Sequence, residues 1–238
     1  MDAMWNRDRD ILLWINSFAH QDKVRDSIIF HLGVDIVAGL VFLYLVYLWF
    51  ESVEARREAL KIAVGLVLAA FVNGVVIWCM PFRLRPIHQP GLGFVLPYFG
   101  HADILEHWSS FPSDHAAVYV AMTTAIFMRH RGLGFASLVW VLATGLFSRV
   151  YFGLHYPSDI IAGALVGSAT MYAVYRLPTD RLLAAIYVVI ETAERNSARF
   201  FYPVASLFLY ELIILFADTR AMLRFLVHLL TGHLENDG

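Results

Sequence analysis

Charge is scarce in this chain: only 16% of its 238 residues are Asp, Glu, Lys or Arg, against 59% hydrophobic residues. A soluble domain carries about 25% charged and about 45–50% apolar residues. A water-soluble core of this size cannot hide so much apolar surface. A disordered chain needs the opposite bias and is excluded as well. Basic excess is also lacking, since 18 Lys and Arg face 20 Asp and Glu for a net charge of −2. With no field to gather phosphates from a distance, nucleic acid is not an expected partner. Cys79 is the single cysteine, so a disulfide framework is impossible. What remains, with a mean hydropathy of +0.60, is an integral membrane protein.

Apolar runs set the expected crossings, since a spanning helix takes about 17–25 residues. Ile62–Phe82 gives 21 residues without a formal charge, Gly132–Ser148 gives 17 and Ile160–Tyr175 gives 16. Ile36–Phe50 gives 15, extending toward Ser27 if His31 and Asp35 face protein. Ala116–Met128 gives 13 and is expected to begin upstream, in the segment holding His115. Phe200–Ala217, broken only by Glu211, is a sixth candidate. Unbroken strand-like alternation is absent, so the fold class is all-α: a polytopic membrane helical bundle of five core spans, a sixth candidate and amphipathic interfacial helices. One domain is expected over residues 1–238, with an interfacial lead at 1–26 and a C-terminal helical extension at 178–238. In the lead, Ile11, Trp14, Ile15 and Phe18 recur at helical spacing beside Arg7, Asp8, Arg9 and Asp10, as in a helix lying on a membrane. Nothing at the start resembles a cleavable signal peptide, so the first span serves as the insertion signal.

Lys and Arg in short loops mark the cytoplasmic side. The loops at 51–61, 129–131 and 176–199 hold nine, whereas those at 83–114 and 149–159 hold only Arg83, Arg85 and Arg149. The sparse side is therefore expected to be extracytoplasmic, although Arg7, Arg9, Lys23 and Arg25 argue the other way.

The unusual residues gather on that sparse side: Arg83-Leu84-Arg85-Pro86, then Pro112-Ser113-Asp114-His115, then Ser148-Arg149 with His155 and Asp159. Spans of about 16 residues rise only about 24 Å, which would set these loops slightly below the headgroups. Each residue has a bland reading alone. An arginine at a helix end is commonly an interfacial anchor, a lone histidine is commonly structural, and Ser-Asp is a common N-cap. Together they supply guanidinium clamps for a phosphate, a nucleophile and an acid, the parts of a phosphoryl-transfer site.

The run Ser148-Arg149, five residues, His155, three residues, Asp159, preceded by Pro112-Ser113-Asp114-His115 and Arg85-Pro86, resembles the type 2 phosphatidic acid phosphatase superfamily. The motifs cover about residues 80–160, and the wording Phe111-Pro112-Ser113-Asp114-His115 is most similar to the bacitracin-resistance branch, bacterial undecaprenyl pyrophosphate phosphatases. The resemblance implies that His155 attacks phosphorus to form a phosphohistidine, that Asp159 orients it, and that His115 protonates the leaving oxygen and then activates water. Arg85, Arg149 and Ser113 would hold the phosphate oxygens, with no metal or other cofactor. Trp78 stands where the family has a lysine, so Arg83 is the expected substitute ligand. Asp114 replaces the usual glycine; it caps the helix, pairs with an arginine, or serves the phosphate through its backbone N–H. His88, His101, Asp103, Glu106 and His107 are expected to be solvent-exposed loop residues, and Asn73 and Asp35 to tie helices together.

The expected activity is hydrolysis of undecaprenyl diphosphate to the monophosphate in a bacterial inner membrane, the active site facing outward. Phosphatidylglycerophosphate, phosphatidate or another lipid phosphate are alternative substrates. A non-catalytic lipid-phosphate binding or transport protein is the alternative class, disfavoured by an oriented nucleophile that binding does not need. The vanadate-dependent haloperoxidases share the motifs but are soluble and larger.

Overall fold

The computed structural model describes residues 2–101, 105, 107–178 and 180–213. Among them there is no strand. Helix α1 (Asp2–Asn16) precedes α2 (Lys23–His31), which runs through a π-turn at Leu32–Ile36 into α3 (Val37–Glu51). Then come α4 (Val53–Cys79), α5 (Asp114–Arg129), α6 (Arg131–Val141), a second π-turn at Leu142–Leu146, α7 (Phe147–Tyr151), α8 (Pro157–Arg176) and α9 (Asp180–Ile213). By length and composition α4 and the stretch Arg131–Tyr151 can each cross a membrane, and α8 joined to α9 across a bend is a third candidate. Val37–Glu51 is apolar but shorter.

Local chemistry explains the ends. Ser52 alone separates α3 from α4 and caps the latter, its Oγ accepting from Ala55 N at 3.1 Å. The expected loop at 51–61 is thus helix, and Arg56, Arg57 and Lys61 ride on the first turns of α4. Ser113 caps α5, whose start at Asp114 does lie upstream of the apolar run. Pro157 opens α8, where a missing N–H costs nothing.

Helices α5 and α8 form the tightest pair. A Cβ built on Gly163 would lie 2.1 Å from Ser113 O, and one on Gly167 1.9 Å from Ala117 O. This small-xxx-small stripe brings two backbones together, so Ser113 N reaches Asp159 O at 3.0 Å. The second and third motifs are joined there.

Three expectations need correcting. Helix α8 has 20 residues and Arg131–Tyr151 has 21, so each rises about 30 Å, while α5, with 16, and α3, with 15, keep the expected shortness. His31 is exposed, because α2 and α3 form one continuous helix whose side carries it. In the lead, Ile11, Trp14 and Phe18 are indeed exposed, but α1 has a second face: Asp8, Leu12 and Asn16, at i, i+4 and i+8, are buried. Asn16 donates to Val95 O and accepts from Val95 N, both at 2.7 Å. Helix α1 therefore docks on the motif loops, at the same end of the bundle. Asp103, Glu106 and the extension beyond Ile213, including the end of the sixth candidate span, lie outside the described residues. So does the side chain of Asp35. Asn73 is buried and donates to Pro112 O at 3.5 Å, tying α4 to the second motif.

Candidate active site

His155 lies between α7 and α8, 1% exposed. Its Nδ1 is 2.8 Å from Ser110 O. A carbonyl only accepts, so Nδ1 carries the hydrogen and Nε2 the lone pair. Arg85 Nη1 lies 3.2 Å from that Nε2. Burial first, then the Arg85 guanidinium, hold the imidazole well below its ordinary pKa. His155 is thus a neutral, oriented nucleophile at neutral pH.

Backbone carbonyls anchor Arg85: Leu154 O at 2.8 Å, Trp108 O at 3.3 Å and Ser109 O at 3.3 Å. Arg149 is also buried, and its Nε has no hydrogen-bond partner. A buried cationic N–H left unsatisfied is costly unless an anion completes it. Its own carbonyl holds the neighbouring loop, accepting from Leu154 N at 2.9 Å and His155 N at 3.2 Å. The nucleophile's position is thereby tied to that of the cation.

Asp114 pairs with His115 and not with an arginine. Its Oδ1 lies 3.0 Å from His115 Nδ1 and accepts from His115 N at 2.8 Å. The same oxygen is 3.9 Å from His155 Nε2. A carboxylate facing Nδ1 puts the hydrogen there, so His115 presents Nε2 as His155 does. Two imidazoles flank one carboxylate.

Asp159 and Arg83 sit behind this arrangement. Asp159 Oδ2 is 3.8 Å from His155 Nδ1, a distance of charge interaction and not of a hydrogen bond. The carboxylate takes Arg83 Nη1 at 2.5 Å, Tyr156 N at 2.7 Å and the Ser110 hydroxyl. Arg83, expected to replace the family lysine, faces Asp159, Ser158 Oγ at 2.8 Å and Asp8 Oδ2 at 2.8 Å, and stacks 4.1 Å over the Tyr156 ring. Trp78 points away, 88% exposed. His101 and His107 are exposed as expected, while His88 is half-buried.

A cavity of about 340 Å³ opens from Arg85 and Asp114 past Trp108 onto Val67, Phe71 and Ile77 of α4. Phe71 is exposed on the apolar outside, so this groove links the charged site to the bundle's apolar flank. A larger one, about 680 Å³ between α3, α4 and α9, is lined by no carboxylate, histidine or cation and has no part in the chemistry. Among the described residues no group of three or more His, Cys, Asp or Glu is arranged to hold a metal ion.

Ser110, Ser158 and Asp8 escaped the sequence reading. Ser110 acts through its carbonyl, which leaves no trace in side-chain patterns. Asp8 lay in a charged run, but its spacing with Leu12 and Asn16 was a usable signal.

The PAP2 superfamily model matches residues 58–183. Undecaprenyl-diphosphatase BcrC of Bacillus subtilis is 28% identical over 190 residues, 78% of this chain and 91% of its own. Putative undecaprenyl-diphosphatase YbjG of Escherichia coli is 35% identical over 145 residues, 59% of this chain and 67% of its own. Lipid A 4'-phosphatase of Porphyromonas gingivalis is 24% identical over 186 residues, 74% of this chain and 75% of its own.

Proposed function

This chain belongs to the PAP2 superfamily, and on that premise we propose that it is a membrane lipid phosphatase removing the terminal phosphate of a polyprenyl diphosphate, undecaprenyl diphosphate being the substrate. One observation carries the reading. The unprotonated Nε2 of His155 accepts from Arg85 Nη1 at 3.2 Å and lies 3.9 Å from the carboxylate that holds His115. A binding protein has no use for an oriented lone pair.

In the proposed reaction His155 Nε2 attacks the terminal phosphorus in line, forming a P–N bond as the P–O bond to the lipid phosphate breaks. His115, in its imidazolium form paired with Asp114, gives the leaving oxygen its Nε2 proton and is left neutral. Charge spread over the non-bridging oxygens meets Arg85, Arg149, the Ser113 hydroxyl and the N–H of Asp114 at the α5 N-terminus. His115 then takes a proton from water, which attacks phosphorus, and inorganic phosphate leaves with His155 regenerated. The Nδ1–H of the phosphoimidazole keeps Ser110 O, with the Asp159 carboxylate at 3.8 Å against its positive charge. Arg83 supports Asp159 here instead of holding phosphate.

The whole chain acts as one membrane domain in this reading. Five crossings are Lys23–Glu51, α4, α5, Arg131–Tyr151 and α8, with α9 leading into a sixth. Arg56, Arg57, Lys61, Arg129 and Arg131 at one end favour a cytoplasmic face, which turns the active site outward in a bacterial inner membrane. The apolar groove beside Arg85 suits a lipid chain entering sideways.

The test is phosphate release by detergent-solubilised protein from undecaprenyl diphosphate, phosphatidylglycerophosphate, phosphatidate and lipid A, with EDTA present. Release that is highest from the polyprenyl diphosphate and unaffected by EDTA is expected. No release from any lipid sinks the enzyme reading, release confined to another lipid sinks the substrate, and restoration by Mg²⁺ sinks the arginine-only mechanism.

A further inference from the structure

Asp8 belongs to α1, which lies outside the family-matched region. Its neighbours Arg7, Arg9 and Asp10 are exposed, yet Asp8 itself is 5% exposed. Three donors reach its carboxylate: Arg83 Nη2 at 2.8 Å, Ser158 N at 2.9 Å and the Ser158 hydroxyl. Ser158 N is one of the first-turn N–H groups of α8, which the helix itself cannot satisfy. Asp8 caps the helix that carries the third motif from 150 residues away.

A buried ion pair is poor evidence of a device for stability, because desolvation offsets much of the attraction. Its use here follows from what lies beyond it. Arg83 stands between two carboxylates, Asp8 and Asp159, each within hydrogen-bond distance. Asp159 in turn takes the Ser110 hydroxyl, and the carbonyl of that same Ser110 fixes His155 Nδ1 at 2.8 Å. A second strand of the link runs through the backbone, Ser110 N donating to Arg83 O at 2.8 Å. Without Asp8, Arg83 loses the partner that holds it in line with Asp159, and Ser158 loses the acceptor for its N–H.

We infer that Asp8 is a positioning residue for the reaction, acting through Arg83, Asp159 and Ser110 on the orientation of the His155 imidazole, so that the N-terminal helix forms part of the catalytic apparatus. This rests on the phosphatase reading. Helix α1 is placed for the task by Leu12 and Asn16, which fix its register on the bundle while its apolar outer face is left to the membrane.

Steady-state kinetics on the full-length chain tests this. Asp8→Asn is expected to lower kcat about tenfold to a hundredfold, the scale of a small misplacement transmitted from afar, with KM within about twofold. Combined with Arg83→Gln, it should add no further loss, because both act along one path. Leu48→Ala, a core truncation in α3 outside this network, should lower Tm and spare kcat. A normal kcat for Asp8→Asn, losses that multiply in the double variant, or an equal kcat loss for folded Leu48→Ala would each overturn the inference. If Asp8→Asn does not fold, Ser158→Ala decides by the same split: a lower kcat at unchanged KM supports the inference and a normal kcat overturns it. The Nδ1–H resonance of His155 in ¹⁵N-histidine-labelled protein, assigned by its loss in His155→Gln, should move in Asp8→Asn. An unmoved resonance overturns the inference even if the wild type releases no phosphate, an outcome that would separately end the phosphatase reading.

Discussion

The His155 imidazole turns its Nδ1–H to the backbone carbonyl of Ser110 at 2.8 Å. An acyl-transfer triad gives that place to a carboxylate, and replacing it by an amide costs about 10⁴ in turnover because the tautomer is lost. Here a carbonyl that no side-chain substitution removes sets the tautomer. Asp159, one shell further out, contributes charge and the placement of Ser110. Asp159→Asn should therefore cost about 10- to 100-fold in kcat, and His155→Ala should abolish turnover while binding of the lipid persists on Arg85 and Arg149. Kinetics with equilibrium lipid binding on both variants checks this. A loss of about 10⁴ in Asp159→Asn would mean that the carbonyl does not hold the tautomer.

The pH dependence follows from the same imidazole. Burial and the Arg85 cation both disfavour its protonated form, so its pKa is depressed. The nucleophile is the neutral form, and a depressed pKa keeps it neutral further into acid. The acid limb of kcat/KM that belongs to His155 should thus lie below the ordinary imidazole value near 6.5. Removing the cation with Arg85→Gln should lower overall activity and move that limb upward. Substrate ionisation is the same in both proteins, so the shift isolates His155. A limb that moves down or stays fixed would show that Arg85 does not set the proton affinity of the nucleophile.

Sequence periodicity found the helices because lipid and core both demand apolar runs, and α4, α5 and α8 begin or end within a few residues of charged or proline signals. The three motifs named the groups later seen around His155. Partnership was harder to read. Arg83 carries the same charge as Arg85 and sits two residues away, a spacing that a regular extended strand would place on one side, yet Arg83 turns to Asp8 and Asp159 while Arg85 turns to His155. Asp8 looked like one charge among four on a membrane-facing helix. Its burial depends on where α1 docks, which is a tertiary fact.

The meeting of α5 and α8 leaves no room at Gly167, where a Cβ would lie 1.9 Å from Ala117 O. Gly167→Ala should force the helices apart and cost about 1–3 kcal/mol, the usual penalty of overpacking. Because Ser113 N and Asp159 O meet one turn along α5 and two along α8 from this contact, activity should fall together with thermal stability in detergent. Gly132→Ala, where a Cβ meets nothing within 4 Å, is the matched control and should change neither. An unaltered Tm in Gly167→Ala would show that the helix pair tolerates the separation.

Asp114 offers the sharpest separation of chemical roles. Its Oδ1 lies 3.0 Å from His115 Nδ1 and 3.9 Å from His155 Nε2, and Arg85 and Arg149 bring positive charge to the same buried region. The acid step requires a proton on His115 beside those cations. Asp114 offsets them and fixes the ring so that Nε2 faces the leaving oxygen. Its negative charge also opposes an incoming phosphate, so removing it has two contrary effects. Asp114→Asn should bind phosphate or vanadate at least as tightly as the wild type, since one repulsive charge is gone. Turnover of a lipid diphosphate should fall about 10²- to 10⁴-fold, the usual worth of general acid–base assistance. With p-nitrophenyl phosphate the leaving oxygen needs no proton, and phosphorylation of His155 should be nearly spared. Burst kinetics on that substrate reads this step apart from the hydrolysis that follows. Loss of the burst in Asp114→Asn, or weaker vanadate inhibition, would place Asp114 in holding the phosphate or the nucleophile and not in serving His115.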